Sequence, residues 1–187
     1  MSVLDGVRIR RYREDDAPAL LEATLESVSV LVPYETWCHA GYTLAEATEH
    51  VGHWMSAWDK ARAFYFVVED SETGQFLGSC GLSGVDREHR AANLGFWIRS
   101  SGTNRGVATI ATRLVAAYGF AALDLNRIEL VIAVQNAASR RVAVKAGALE
   151  EGTLRQRLVI DGRPTDCVSY SILRSEFESS GLYADRR

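Results

Sequence analysis

Residues 96–109 constrain the fold more than any other part of this chain. They read Phe96-Trp97-Ile98-Arg99-Ser100-Ser101-Gly102-Thr103-Asn104-Arg105-Gly106-Val107-Ala108-Thr109. An apolar run gives way to a polar, Gly-bearing turn and then to small residues that open an amphipathic helix. The first amides of a helix have no intrahelical carbonyl to reach, and the helix dipole adds positive potential there. Such a turn holds a phosphate-bearing ligand without needing many basic side chains. Neither G-x-x-x-x-G-K-[ST] nor G-x-G-x-x-G occurs, so the usual nucleotide fingerprints are absent. Taken alone, the segment is equally a structural turn.

The flanking pattern narrows the fold. Alternation over 7–12 predicts a first strand, and Asp15 or Asp16 is positioned to cap a helix carrying Leu20, Leu21, Leu25 and Val28, which Pro33 stops. Thr43 and Glu46 form a capping box for a second helix with Val51, Trp54, Met55 and Trp58 as its stripe. Between these helices, residues 33–39 are suited to line a pocket or simply to pack the loop down. Strands are expected at 64–69, 76–83 and 92–99 as an antiparallel meander, followed by the helix that opens at Gly106 and a strand at 128–134. The strand-helix-strand crossover implies one parallel pair. A short helix from Asn136 to Ala146 is closed by Gly147, and strands 154–160 and 166–173 flank the turn Asp161-Gly162. One domain over 1–187 is expected, with its core in 7–177 and a fraying tail at 180–187.

Composition excludes several classes. Lys plus Arg number 21 against 24 Asp plus Glu, and a net charge of −3 is no footprint for nucleic acid. Cys38, Cys80 and Cys167 are odd in number and include no C-x-x-C, which points away from disulfides and zinc and toward a reducing cytoplasm. His50 and His53 lie i,i+3 on a helix but have no further ligand nearby, so no metal site is expected. No leader pattern and no membrane-length apolar run is read, and no membrane partner is expected.

Order and spacing of the motifs resemble the GNAT superfamily of acetyl-CoA-dependent N-acetyltransferases, in particular its RimJ/RimL-type branch of ribosomal-protein N-terminal acetyltransferases. The family loop [QR]-x-x-G-x-[GA] is similar to Thr103-Asn104-Arg105-Gly106-Val107-Ala108, with Thr103 departing from the leading Gln or Arg. N-x-x-S is matched by Asn136-Ala137-Ala138-Ser139, and the closing G-(x)-D-x-x-x-Y by residues 162–170, ending at Tyr170. The resemblance implies an α/β fold with a mixed, mostly antiparallel seven-stranded sheet, helices on both faces, and a splay between the fourth and fifth strands. It implies acetyl-CoA as cosubstrate, an amine acceptor (a protein N-terminus or a small molecule) and a homodimer. The implied cofactor-binding residues are Phe96, Trp97, Ile98, Arg99, Asn104, Arg105, Gly106, Val107, Ala108, Thr109, Asn136, Ser139 and Arg141. Arg140 is weighed beside Arg141 for the ribose phosphate, each equally able to face solvent.

The chemistry separates acceptor classes. An α-amine of pKa about 7.7–8 is roughly a tenth neutral at pH 7, so a weak base suffices. A lysine amine near 10.4 needs about 4.6 kcal/mol of further help. Glu35, Glu129 and Asp166 are the carboxylate candidates, with Glu35 carried forward as a catalytic residue and the base itself left unassigned. The backbone amide of Trp97 or Ile98 would steady the developing oxyanion. Where relatives carry a Tyr seven residues after the Asn, this chain has Ala143, so Ser139 is the substitute acid. Leu158 and Asn93 stand where relatives often have acidic residues. No Cys shows an activation pattern, so direct transfer is expected. The favoured acceptor is a protein N-terminal α-amine. A small amine such as an aminoglycoside, polyamine or amino acid is the alternative, and a non-catalytic acyl-CoA sensor is the third reading.

Overall fold

A computed structural model describes residues 2–181; the outermost part of the expected fraying tail, 182–187, lies outside the described residues. Among the described residues, eight strands form one sheet in the order β1-β2-β3-β4-β5-β6-β8-β7. They are β1 Ser2–Leu4, β2 Val7–Arg11, β3 Phe64–Asp70, β4 Phe76–Asp86, β5 Ala91–Ile98, β6 Arg127–Ala133, β7 Leu149–Ile160 and β8 Arg163–Leu173. The helices are α1 Ala17–Leu31, α2 Leu44–Asp59, α3 Val107–Ala122, α4 Ala137–Ala146 and α5 Arg174–Ser179. All neighbouring strands run antiparallel except β5 and β6.

The expected seven strands become eight because the chain before Val7 folds back as a hairpin. Asp5 and Gly6 both adopt positive φ, 45° and 80°, the pairing that a two-residue turn of this hand requires. Asp-Gly was therefore a legible turn signal that the strand reading passed over. The closing hairpin is also longer than expected: β7 begins at Leu149, immediately after Gly147 ends α4 in the left-handed region at φ 100°.

The two faces of the sheet carry separate cores. On one, α3 packs Ala111, Leu114 and Val115 against Phe66, Leu82, Leu94 and Ile128. On the other, α1 and α2 bring Leu20, Ala23, Ala47 and Val51 against Val67 and Trp97. The buried stripe of α1 uses small residues, including Thr24 and Ser27, while Leu25 is exposed, against the sequence expectation. The Thr43–Glu46 capping box forms as expected. Asp16 occupies the N-cap position of α1 but makes no side-chain cap bond. Its carboxylate is instead held by the Arg10 guanidinium and the Arg13 amide.

Candidate functional site

β5 and β6 pair only through Ala91–Arg127, Ala92–Ile128 and Asn93–Glu129. Beyond Asn93 the strands part, because β5 stays in register with β4 through Ile98 while β6 stays with β8 through Ala133. The splay leaves backbone groups of two strands without a ladder partner, and a cleft of about 660 Å³ opens there.

In an antiparallel ladder, alternate residues turn their amides to opposite sides. The Arg99 N–H reaches the Leu77 carbonyl on β4, and the Trp97 carbonyl faces Gly78, where a Cβ would meet it at 2.2 Å. The Arg90 carbonyl accepts from Asn126 and Arg127 on the β6 side. Even-numbered residues of β5 therefore turn toward β6, so the open amides are those of Phe96 and Ile98. The Trp97 amide, one of the two expected donors, belongs to the β4 side. Its indole lies in the α1–α2 core, 8% exposed.

The phosphate-loop geometry follows from Gly106. This residue is the N-cap of α3 at φ +82°, a region costly for side chains with a Cβ. Its carbonyl accepts the Ile110 N–H, so the amides of Val107, Ala108 and Thr109 open the helix with no intrahelical acceptor. Asn104, also left-handed at φ 60°, lines the same cleft. The Thr103 hydroxyl donates to the Ser100 carbonyl at 2.8 Å, closing the turn below the loop.

Across the splay, α4 presents Asn136, Ser139 and Arg141 to the cleft, together with Lys145, which the sequence reading missed. Lys145 sits one turn beyond Arg141 on the same helix face, a spacing that was available in the sequence. Asn136 Oδ1 accepts the Ser139 N–H at 3.0 Å, so it is the helix cap while its amide nitrogen stays available. Arg140 turns away to the Tyr170 hydroxyl and the Val134 carbonyl. Ala143 is fully buried in the α3-side core.

Two residues of the implied cofactor set, Arg99 and Arg105, are not among those that line the cleft. The Arg99 side chain is buried and binds Glu22, Glu26 and the Phe76 carbonyl, so its charge is consumed in tying β5 to α1. The Arg105 side chain is exposed. Of the other carboxylates, Glu129 pairs with Arg127, and Asp166 accepts the Gln156 amide.

Glu35 does reach the cleft, beside Pro33, Tyr34 and Trp97. The Glu35 amide donates to the Leu31 carbonyl and the Glu35 carbonyl accepts from Cys38, which fixes it just past the end of α1. Burial raises its pKa above the ordinary carboxylate range, opposed by a hydrogen bond from the Trp37 indole. His50, expected to be unmetallated, has Nε2 occupied by the Trp54 indole N–H at 2.9 Å. All three cysteines are free and buried. Among the described residues, no helix is long and apolar enough to cross a membrane.

The splayed mixed sheet thus brings free helix amides and the half-buried Glu35 carboxylate to one cleft. Residues 7–149 match the acetyltransferase (GNAT) domain, and the chain belongs to that family. It is 38% identical over 105 residues to "Putative ribosomal N-acetyltransferase YdaF" of Bacillus subtilis, covering 56% of this chain and 57% of that protein. It is 30% identical to the spermidine N(1)-acetyltransferase of Vibrio cholerae, covering 60% and 64% respectively. The matched stretch thus spans less than two thirds of either relative. Mycobacterium smegmatis RimJ, solved in complex with CoA-disulfide, superposes with a TM-score of 0.82 at 27% identity, covering 94% of this chain and 90% of that one.

Proposed function

We propose that this protein transfers an acetyl group from acetyl-CoA directly to the α-amine at a protein N-terminus. The observation that carries this reading is Glu35, the one carboxylate among the described cleft-lining residues, on the side of the splay opposite the phosphate loop. When bound, acetyl-CoA supplies an acyl thioester. The residues present fit it: the amides of Gly106 to Thr109 suit its pyrophosphate, Arg141 and Lys145 its remaining phosphate, and the Asn136 side-chain amide a pantetheine carbonyl. The Ile98 amide, open toward the splay, is placed to donate to oxygen on which negative charge develops.

Glu35, with its proton affinity raised by burial, takes a proton from an amine more readily than an ordinary surface carboxylate does. An α-amine asks little of such a base. Ser139, half-buried at the start of α4 and lining the cleft, would return a proton to the leaving thiolate. A polyamine acceptor, suggested by the spermidine enzyme, carries several positive charges, whereas this cleft is lined by one carboxylate and by the cations Arg141 and Lys145. An acyl-CoA sensor would have no use for a desolvated carboxylate at the acceptor side. The reading is tested by thiol release from acetyl-CoA with N-terminal peptides and polyamines side by side, peptides being the acceptors expected to turn over.

A further inference from the structure

One aromatic side chain on the α1–α2 face of the sheet is placed by a device that spans three strands. Tyr65 of β3 is in register with Gly81 of β4, which is in register with Gly95 of β5. A Cβ at Gly81 would stand 2.5 Å from the Tyr65 ring, and one at Gly95 would stand 3.3 Å from its hydroxyl. The two glycines therefore leave a trough in which the ring lies flat across β4, carrying the hydroxyl over β5. Trp54 covers the ring from above, stacked at 3.8 Å and 21°.

The hydroxyl arrives two residues past Asn93, the last residue of β5 paired to β6. This is the α1–α2 face of the sheet, where Trp37, whose indole holds Glu35, also packs. Burial pushes the phenol up to about 12, so it remains a neutral O–H at working pH. Ser83 lies close enough to the phenol to oppose part of that rise. Neither the sheet nor the core needs a hydroxyl here, since Phe would fill the same trough.

We propose that the Tyr65 hydroxyl is a specificity-determining group that donates a hydrogen bond to the carbonyl of the acceptor's first peptide bond. This rests on the N-terminal acetyltransferase reading above. A carbonyl next to the amine distinguishes a peptide N-terminus from a polyamine, and a fixed neutral donor on the acceptor face reads that difference.

The test is steady-state kinetics on the purified protein with acetyl-CoA and a short N-terminal peptide. Tyr65→Phe keeps the ring and its stack and should raise KM for the peptide about 10-fold, the loss of one neutral hydrogen bond, with KM for acetyl-CoA unchanged. Gly95→Ala, which pushes the hydroxyl aside, should act in the same direction. An unchanged peptide KM in Tyr65→Phe, or an equal rise for acetyl-CoA, overturns the proposal while leaving the N-terminal reading intact. A wild-type protein that acetylates no N-terminal peptide overturns both.

Discussion

The Trp37 indole N–H donates to Glu35 Oε2 at 2.8 Å, and the Trp37 ring lies 5.8 Å, centroid to centroid, from the ring of Trp97 on β5. The only cleft carboxylate among the described residues is thus oriented by an aromatic that also packs against the strand bordering the splay. Glu35→Gln keeps the shape and the indole bond but removes the base. It should lower kcat by about 10²-fold with CoA affinity unchanged, read from thiol release and calorimetry. A loss of CoA binding in parallel would place Glu35 in the cofactor site instead.

The pH profile should follow the same carboxyl. Burial raises its pKa in the folded protein, so the rate should rise with pH through a value above the ordinary Glu range near 4.3. The folded state also holds more protons than the unfolded one across that window, so this group's contribution to stability falls as pH rises through it. Glu35→Gln should therefore be no less stable than wild type at pH 7 in urea unfolding, although it is less active.

His50 works in the opposite sense. Burial lowers its pKa to about 4, against about 6.5 for an unperturbed ring. The unfolded chain takes up the proton first, so the stability contribution is complete above pH 6.5 and is lost as pH falls toward 4. After discounting for partial exposure, the loss is on the order of 2 kcal/mol. Urea midpoints at pH 7 and pH 4.5 check this, and His50→Gln should show a shallower fall between them.

Glu26 links α1 to the base of the phosphate loop. Its carboxylate binds the Arg99 guanidinium and accepts the Ser101 N–H at 2.7 Å, and Arg99 holds its pKa down at about 2. Glu26→Gln should cost about 1–3 kcal/mol, because Arg99 stays buried with the exposed Glu22 as its remaining carboxylate. CoA affinity should fall with it, as the turn beneath Gly106 loosens. Unchanged affinity would show that the loop is held by α3 alone.

The order of strands and helices was legible because it rests on local signals: the Thr43–Glu46 box, the cap at Asn136, Gly147 at the end of α4 and the Asp161-Gly162 turn. Gly106 was legible as a loop residue for the same reason. The Arg99 ion pairs were not legible because its partners Glu22 and Glu26 lie more than seventy positions away, a distance no local pattern spans. The facing of the Trp97 amide depends on which neighbour β5 keeps after Asn93, and that is a property of the sheet. Tyr65, Gly81 and Gly95 are each unremarkable in sequence and acquire meaning only when register sets them in line.

Acetyl placement on a peptide carrying both a free N-terminus and an internal lysine tests the central claim most directly. With acetyl-CoA at pH 7, mass spectrometry should find the acetyl group on the α-amine alone, matched mole for mole by released thiol. Acetylation of the lysine, a preference for spermidine over the peptide, or tight CoA binding with no thiol release from any amine would contradict it.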